Sequence, residues 1–261
     1  MKVSEITSVI EAVAPLRWQE SYDNAGLIVG RPDDEVHAAL LAVDVTEEVL
    51  DEAERRGCDM VITHHPIIFH PLKRLNSASP VERCVERAIR RGIALYACHT
   101  NLDSAPEGMS FRLGQQLGLQ NMTLLEPSEK DEGVGFGVVG ELAEPQPLME
   151  YLKWVQQRLS VRTVRYSDPA TEQVQRVAIC TGAGASMIGL ARRRGAELYL
   201  TADLKYNDFM TPDKALTVAD IGHFESEFCA IELLFDILSK KLLTFAVLRS
   251  EASRNPINYL F

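Results

Sequence analysis

The chain has 261 residues, long enough for one large α/β unit or two smaller domains, each able to bury its own core. Hydrophobic residues make up 46% of it and charged residues 25%, a balance far from that of disordered chains, so ordered structure is expected nearly throughout. The formal charge of -10 argues against a sequence-independent grip on nucleic acid, which needs Lys and Arg to neutralise phosphates.

From Ser4 to Ala14 the apolar residues Ile6, Val9, Ile10 and Val13 have helical spacing, with Ser4 as the expected cap. Polar turn formers from Ser21 to Ala25 then feed a short apolar run that ends at Gly30. The runs Ala38 to Val43, Met60 to Thr63 and Ile93 to Cys98 are continuously apolar, and helical stretches from Thr46 to Gly57 and Val81 to Gly92 separate them. Strands alternating with helices in this way imply a parallel sheet covered on both faces.

Glu126 to Pro147 is rich in Gly, Pro and Glu, but no G-x-G-x-x-G or Walker pattern opens a helix there, so it is read as a strand crossing a domain boundary. Strand, helix and strand signals recur at Arg176 to Cys180, Ser186 to Gly195 and Leu198 to Thr201, and Ala215 to Val218 leads towards His223 as Ala94 to Ala97 leads to His99. The expected architecture is two structurally related α/β domains with mostly parallel sheets, residues 1–125 with 222–261 forming one and 126–221 the other.

The cysteines Cys58, Cys84, Cys98, Cys180 and Cys229 never form a C-x-x-C pair, which suggests neither a disulfide framework nor a thiolate zinc site. The first residues carry acid where a signal peptide would be basic and then apolar, and no apolar span reaches membrane length. A soluble cytoplasmic protein with no membrane partner is expected.

His64-His65-Pro66 and the segment His99 to Asp103 both lie at expected strand C-termini, the edges where open α/β sheets bind ligands. Pro66 ends its strand, so both adjacent rings can lean into one crevice. A third cluster, Gly222 to Glu227, places His223 and Glu227 four apart, on one face if a helical turn begins near His223, with Ser226 as the expected cap of a helix running to Leu238. Three imidazoles and two carboxylates exceed what one tetrahedral ion needs and suit two divalent ions, of Zn, Fe, Mn or Ni, with the metal site between the domains. The plainer reading, a hydrogen-bonded structural histidine, is kept for His37 and His70.

At these segments the sequence resembles the GTP cyclohydrolase type 2 homologue family, also called NIF-three-like proteins. The resemblance rests on Asp23 to Leu27, Ile62 to Phe69, His99 to Asp103, Thr201 to Tyr206, Gly222 to Glu227 and Asn255 to Ile257. It implies His64, His65, Asp103, His223 and Glu227 as ligands of two ions, and a homo-oligomer, a ring-shaped hexamer whose sites face an internal cavity. At 261 residues the chain resembles the short form, without the insertion some members carry between their halves. It departs from the family at Asn207, where a histidine is usual, which argues against a proton-transfer role for that loop.

Asp103, the only carboxylate from the first half, is expected to bridge the ions, and His99 to orient a ligand or act as the acid–base group near the metal water, with Glu225 as its competitor and a histidine hydrogen-bonded to backbone as the plainer reading. The expected activity is metal-dependent hydrolysis of a small nucleotide-like substrate, with opening of the GTP ring as one form of it. The alternative is a non-catalytic metal-holding or metal-handling scaffold that binds partner proteins. A third reading, a ring acting on DNA, is disfavoured by the negative charge.

Overall fold

A computed structural model describes residues 1–210 and 214–260. In chain order the elements are α1 (Val3–Glu11), β1 (Gly26–Val29), β2 (Ala38–Ala42), α2 (Glu47–Arg56), β3 (Met60–Thr63), α3 (Pro80–Arg91), β4 (Ala94–Ala97), α4 (Thr100–Asp103), α5 (Met109–Gln116) and β5 (Gln120–Pro127). They continue with β6 (Gly135–Pro147), α6 (Leu148–Arg158), β7 (Arg165–Tyr166), β8 (Gln173–Ala183), α7 (Ile188–Arg193), β9 (Leu198–Ala202), β10 (Thr217–Asp220), α8 (His223–Glu227), α9 (Cys229–Lys241) and β11 (Ala246–Arg249). No helix among the described residues is long and apolar enough to cross a membrane.

The chain divides into two compact units, Met1–Leu102 with Ala230–Arg254, and Asp103–Cys229 with Asn255–Phe261. The sequence reading drew its divisions at residues 125/126 and 221/222. The boundaries between these units fall within α4, one residue into α9 and after Arg254.

Unit 1 is built on the sheet β1-β4-β3-β2-β11. Its four inner and C-terminal strands β4, β3, β2 and β11 run parallel, while β1 lies antiparallel against β4, pairing Gly26 with Ala97. β2, β3 and β4 are buried at every position, which is why they read as unbroken apolar runs. The two crossover helices carry matching punctuation. Thr46 accepts from the Val49 amide and Ser79 from that of Glu82, and each helix stops at a left-handed glycine, Gly57 (φ 67°) and Gly92 (φ 66°). Val49, Leu50 and Val85 from these helices pack with Leu40, Val61 and Leu95 from the strands. At the N-terminus the helix begins at Val3, so Ser4 lies inside the first turn rather than capping it.

Unit 2 is built on the sheet β5-β6-β8-β9-β10-β7, and here the expectation of mostly parallel strands holds only in part. β8, β9 and β10 are parallel, but β5–β6, β6–β8 and β7–β10 are antiparallel. The glycine-rich segment supplies two of these pairings, with β5 and with β8. It is a strand, β6, yet it lies wholly within unit 2 and folds back on β5. A Cβ at Gly135 would lie 2.2 Å from the Glu126 carbonyl oxygen, so only glycine admits this approach. Ser226 also departs from its expected role. It sits inside α8, donates to the His223 carbonyl (2.8 Å) and accepts from the Gly182 amide (3.0 Å), and α9 starts separately at Cys229.

Candidate metal centre

In unit 1, β3 ends at Thr63 because the chain turns there. The Thr63 hydroxyl donates to the His65 carbonyl (2.8 Å), the His65 amide donates to Val43 (3.0 Å), and Pro66 follows. The His64 and His65 rings therefore lie on one side, with centroids 5.0 Å apart. His99, two residues past β4, completes a triangle, 5.2 Å from His64 and 5.5 Å from His65. One nitrogen of each ring lies within 4.8 Å of the others.

Each ring is held at the same atom. His64 donates Nδ1–H to the Cys98 carbonyl (2.9 Å), His65 to Asp44 (2.8 Å) and His99 to Asp23 (2.7 Å). An imidazole whose Nδ1 donates to oxygen carries its lone pair on Nε2, the arrangement that orients and strengthens histidine ligands. Asp23 is itself immobilised, its side chain fully buried. It accepts from the Asn24 amide (2.7 Å), the Thr100 amide (3.0 Å) and the Thr100 hydroxyl. Burial pushes this carboxyl up, but the bonds from His99 and Thr100 outweigh it and hold it at about 2.

In unit 2 the donors come from helical spacing. His223 and Glu227 share one face of α8, with Nε2 and Oε2 3.0 Å apart, and His223 Nδ1 donates to Asp203 (2.8 Å). Burial lowers the His223 pKa, yet Glu227 and then Asp203 outweigh it and raise it to about 9. Asp203 takes a left-handed conformation (φ 57°), which aspartate tolerates better than most residues. Thr181 Oγ1 donates to Asp103 (3.5 Å), and the next residue, Gly182 (φ 63°), packs on Glu227: a Cβ there would stand 2.1 Å from Oε1. Gly222 (φ 82°) makes the same room for Glu225, whose Oε2 its Cβ would approach to 2.3 Å. Glu225 Oε1 accepts from Asn255 (2.8 Å), while Oε2 is buried with no hydrogen-bond partner among the described residues.

The donor chemistry fits a borderline divalent cation such as Zn, Fe, Mn or Ni. Four oriented imidazoles and acidic side chains in glycine-made recesses are poor candidates for packing alone. The structure brings His64, His65 and His99 together in unit 1 and His223 and Glu227 together in unit 2, with Asp103 tied to the turn at Thr181 and Gly182. His37 and His70 behave as structural residues, His37 bonded to Asp59 (2.7 Å) and His70 packed edge-on to Phe69 (5.1 Å). Asn207 lies exposed in the turn Tyr206–Met210. Sequence reasoning missed the orienting carboxylates Asp23, Asp44 and Asp203. A signal existed for two of them, since Asp44 lies two residues past β2 and Asp203 directly follows β9.

Comparison with known proteins identifies the family and the fold. The Duf34/NIF3 (NGG1p interacting factor 3) family profile matches residues 1–256. A Clostridium perfringens protein called GTP cyclohydrolase 1 type 2 homolog is 32% identical over 265 residues, spanning 100% of both chains. Among solved structures, the Staphylococcus aureus hypothetical protein SA1388 is similar with a TM-score of 0.92 at 26% identity, over 100% of this chain and 99% of that one. Reduced HcgD from Methanocaldococcus jannaschii is similar with a TM-score of 0.81 at 26% identity, over 96% of this chain and 98% of that one. On the match over residues 1–256, the chain belongs to the Duf34/NIF3 family.

Proposed function

We propose that the protein is a divalent-metal hydrolase acting on a small nucleotide-like substrate, with His64, His65, Asp103, His223 and Glu227 holding two ions. The observation that carries this reading is the uniform orientation of the histidines, each with Nδ1 bonded to an oxygen (2.7–2.9 Å) so that Nε2 is the ligand atom. Two ions, when bound, supply Lewis acidity and generate a nucleophile from water near neutral pH. The residues of the chain do the rest. Asp44, Asp203 and the Cys98 carbonyl orient the rings, and Asp103 offsets the charge of two dications. Glu225 holds or releases a proton at Oε2, where Gly222 leaves room for it.

The names of the relatives add GTP to the substrates worth testing, as the opening of its ring or the hydrolysis of its phosphates. A homohexamer belongs to the same proposal, and light scattering measures it directly. The decisive experiment is a panel of nucleotides and related phosphate esters assayed with metal-free protein and with protein loaded with Zn, Fe, Mn or Ni. Metal-dependent turnover of at least one nucleotide-like compound is expected. Two tightly held ions with no turnover across the panel would favour a metal-holding scaffold instead.

A further inference from the structure

The proposed ligands and their orienting groups make no use of Arg165, yet the fold fastens this arginine to the segments that carry them in unit 2. We propose that Arg165 binds a phosphate of the substrate, so that the protein selects a nucleotide or other phosphate compound over the bare nucleoside. The inference rests on the substrate part of the proposed function and uses residues of unit 2 alone.

The short strand β7 pairs with β10 so that Arg165 stands opposite Asp220. Asp220 is buried and ties three segments together. Its Oδ2 accepts from the Arg165 guanidinium and from the Leu204 amide (3.1 Å), and its Oδ1 accepts from the Gly222 amide (3.0 Å). Arg165 Nη2 also donates to the Leu204 carbonyl (3.1 Å). Both of these partners of Asp220 lead to the candidate metal centre. Leu204 follows Asp203, which holds the His223 ring, and Gly222 makes the recess for Glu225. Tyr259 feels both sides: burial and then the charges of Glu225 and Asp220 push its hydroxyl up, while Arg165 and Arg162 pull it down. Arg165 therefore stands one hydrogen bond from the segments that place His223 and Glu225.

The guanidinium is fixed but not used up. Both of its hydrogen bonds leave from Nη2, and its central carbon lies 5.4 Å from the centre of the Phe209 ring. Nε and Nη1 have no acceptor among the described residues, and the side chain is 56% exposed. Asp220 does not call for the whole group, since two backbone amides already donate to it. A guanidinium held on one nitrogen and one face, with its other donors open to solvent, is prepared for an anion from outside. The neighbouring carboxylates Asp203 and Glu225 repel anions, so a phosphate needs a fixed cation to settle here, and Arg165 supplies it.

The test is calorimetric binding of GTP, guanosine and inorganic pyrophosphate to the full chain in buffer containing Mn(II). Wild type should bind GTP and pyrophosphate, and guanosine at least about 10-fold more weakly than GTP. Arg165→Ala should weaken GTP and pyrophosphate about 10- to 100-fold, the loss expected for hydrogen bonds to a charged group, and leave guanosine unchanged. Arg165→Lys should fall between the two. Lys205→Ala removes an exposed cation nearby in the chain and should change none of the three. Circular dichroism checks the fold, and if Arg165→Ala fails to fold, Arg165→Gln, whose amide can still donate to Asp220, carries the same expectation. Wild-type affinity for GTP and pyrophosphate in the Arg165 variants, equal losses in Lys205→Ala, or a wild type that binds neither phosphate compound would each overturn the inference. Turnover with phosphate binding indifferent to Arg165 would overturn it alone. Arg165-dependent binding with no turnover would instead overturn the hydrolase reading.

Discussion

The two units prepare metal donors by different physical means. In unit 1 the histidines follow strands buried at every position, and their placement comes from where those strands end. In unit 2 His223 and Glu227 owe their pairing to the turn of a short helix, and Glu227 and Glu225 fit only because Gly182 and Gly222 lack side chains. A donor set at the edge of a buried parallel sheet inherits the rigidity of the sheet. A set on a five-residue helix depends on its immediate neighbours, so small substitutions beside it should do more harm.

The sharpest way to break this comparison is to remove the unit 1 donors. His64→Ala with His65→Ala should lower the metal content while leaving the fold intact, because β3 is held by Val61, Ile62 and their neighbours rather than by the rings. Circular dichroism and elemental analysis on the same sample check both halves, and metal content at the wild-type level would contradict the assignment.

Next in size is an acid-sensitive latch confined to unit 1. Glu52 is 1% exposed and accepts from the Ser250 hydroxyl (2.6 Å), the amides of Glu251 and Ala252, and Arg56 (2.6 Å). Burial pushes its carboxyl up, but these bonds outweigh it and lower it from 4.5 to about 2. A depressed carboxylate contributes stability that is complete above the unfolded value and lost as pH falls through the folded one. Glu52 should therefore contribute about 3 kcal/mol, declining between pH 4.5 and 2. Denaturant titrations of wild type and Glu52→Gln across that window should converge at the acid end, and parallel curves would refute the role.

A pair of glycine substitutions compares the units directly. Gly57→Ala adds a Cβ that meets nothing within 4 Å, so it should cost only the left-handed backbone strain, about 1 kcal/mol. Gly182→Ala adds the same strain and a Cβ 2.1 Å from Glu227, and should cost about 2 kcal/mol more and weaken metal binding. Equal stability and equal metal content in the two variants would show that Gly182 is only a turn residue. Smallest in effect, Asp44→Asn and Asp203→Asn should each weaken one ion about 10- to 100-fold without changing the fold, as loss of a ligand-orienting partner does. Calorimetry checks both variants, and wild-type affinity in either would contradict the orienting role of that carboxylate.

These differences also explain what could be read from sequence. β2, β3 and β4 and the helix ends Thr46, Gly57 and Gly92 were legible because they are local signals: unbroken apolar runs, a hydroxyl before a helix, glycines after helices. His64, His65, His99, His223 and Glu227 stood out for the same reason, since strand ends and an i, i+4 spacing are local. The pairing of β6 with β5 was not legible, because it depends on Gly135 approaching a residue nine positions earlier. Ser226 looked like a cap because a hydroxyl before a long helix usually is one, and only its contact with Gly182, 44 residues away, gives its role. Asp23 lies 76 residues from His99, a distance over which no spacing rule operates.

The central claim is that the oriented imidazoles and glycine-cradled carboxylates exist to hold divalent ions. Its most direct test is elemental analysis of the full chain after dialysis against a buffered solution of each candidate metal. The account predicts two divalent ions per chain for at least one of Zn, Fe, Mn and Ni. No stoichiometric binding of any of them would contradict it.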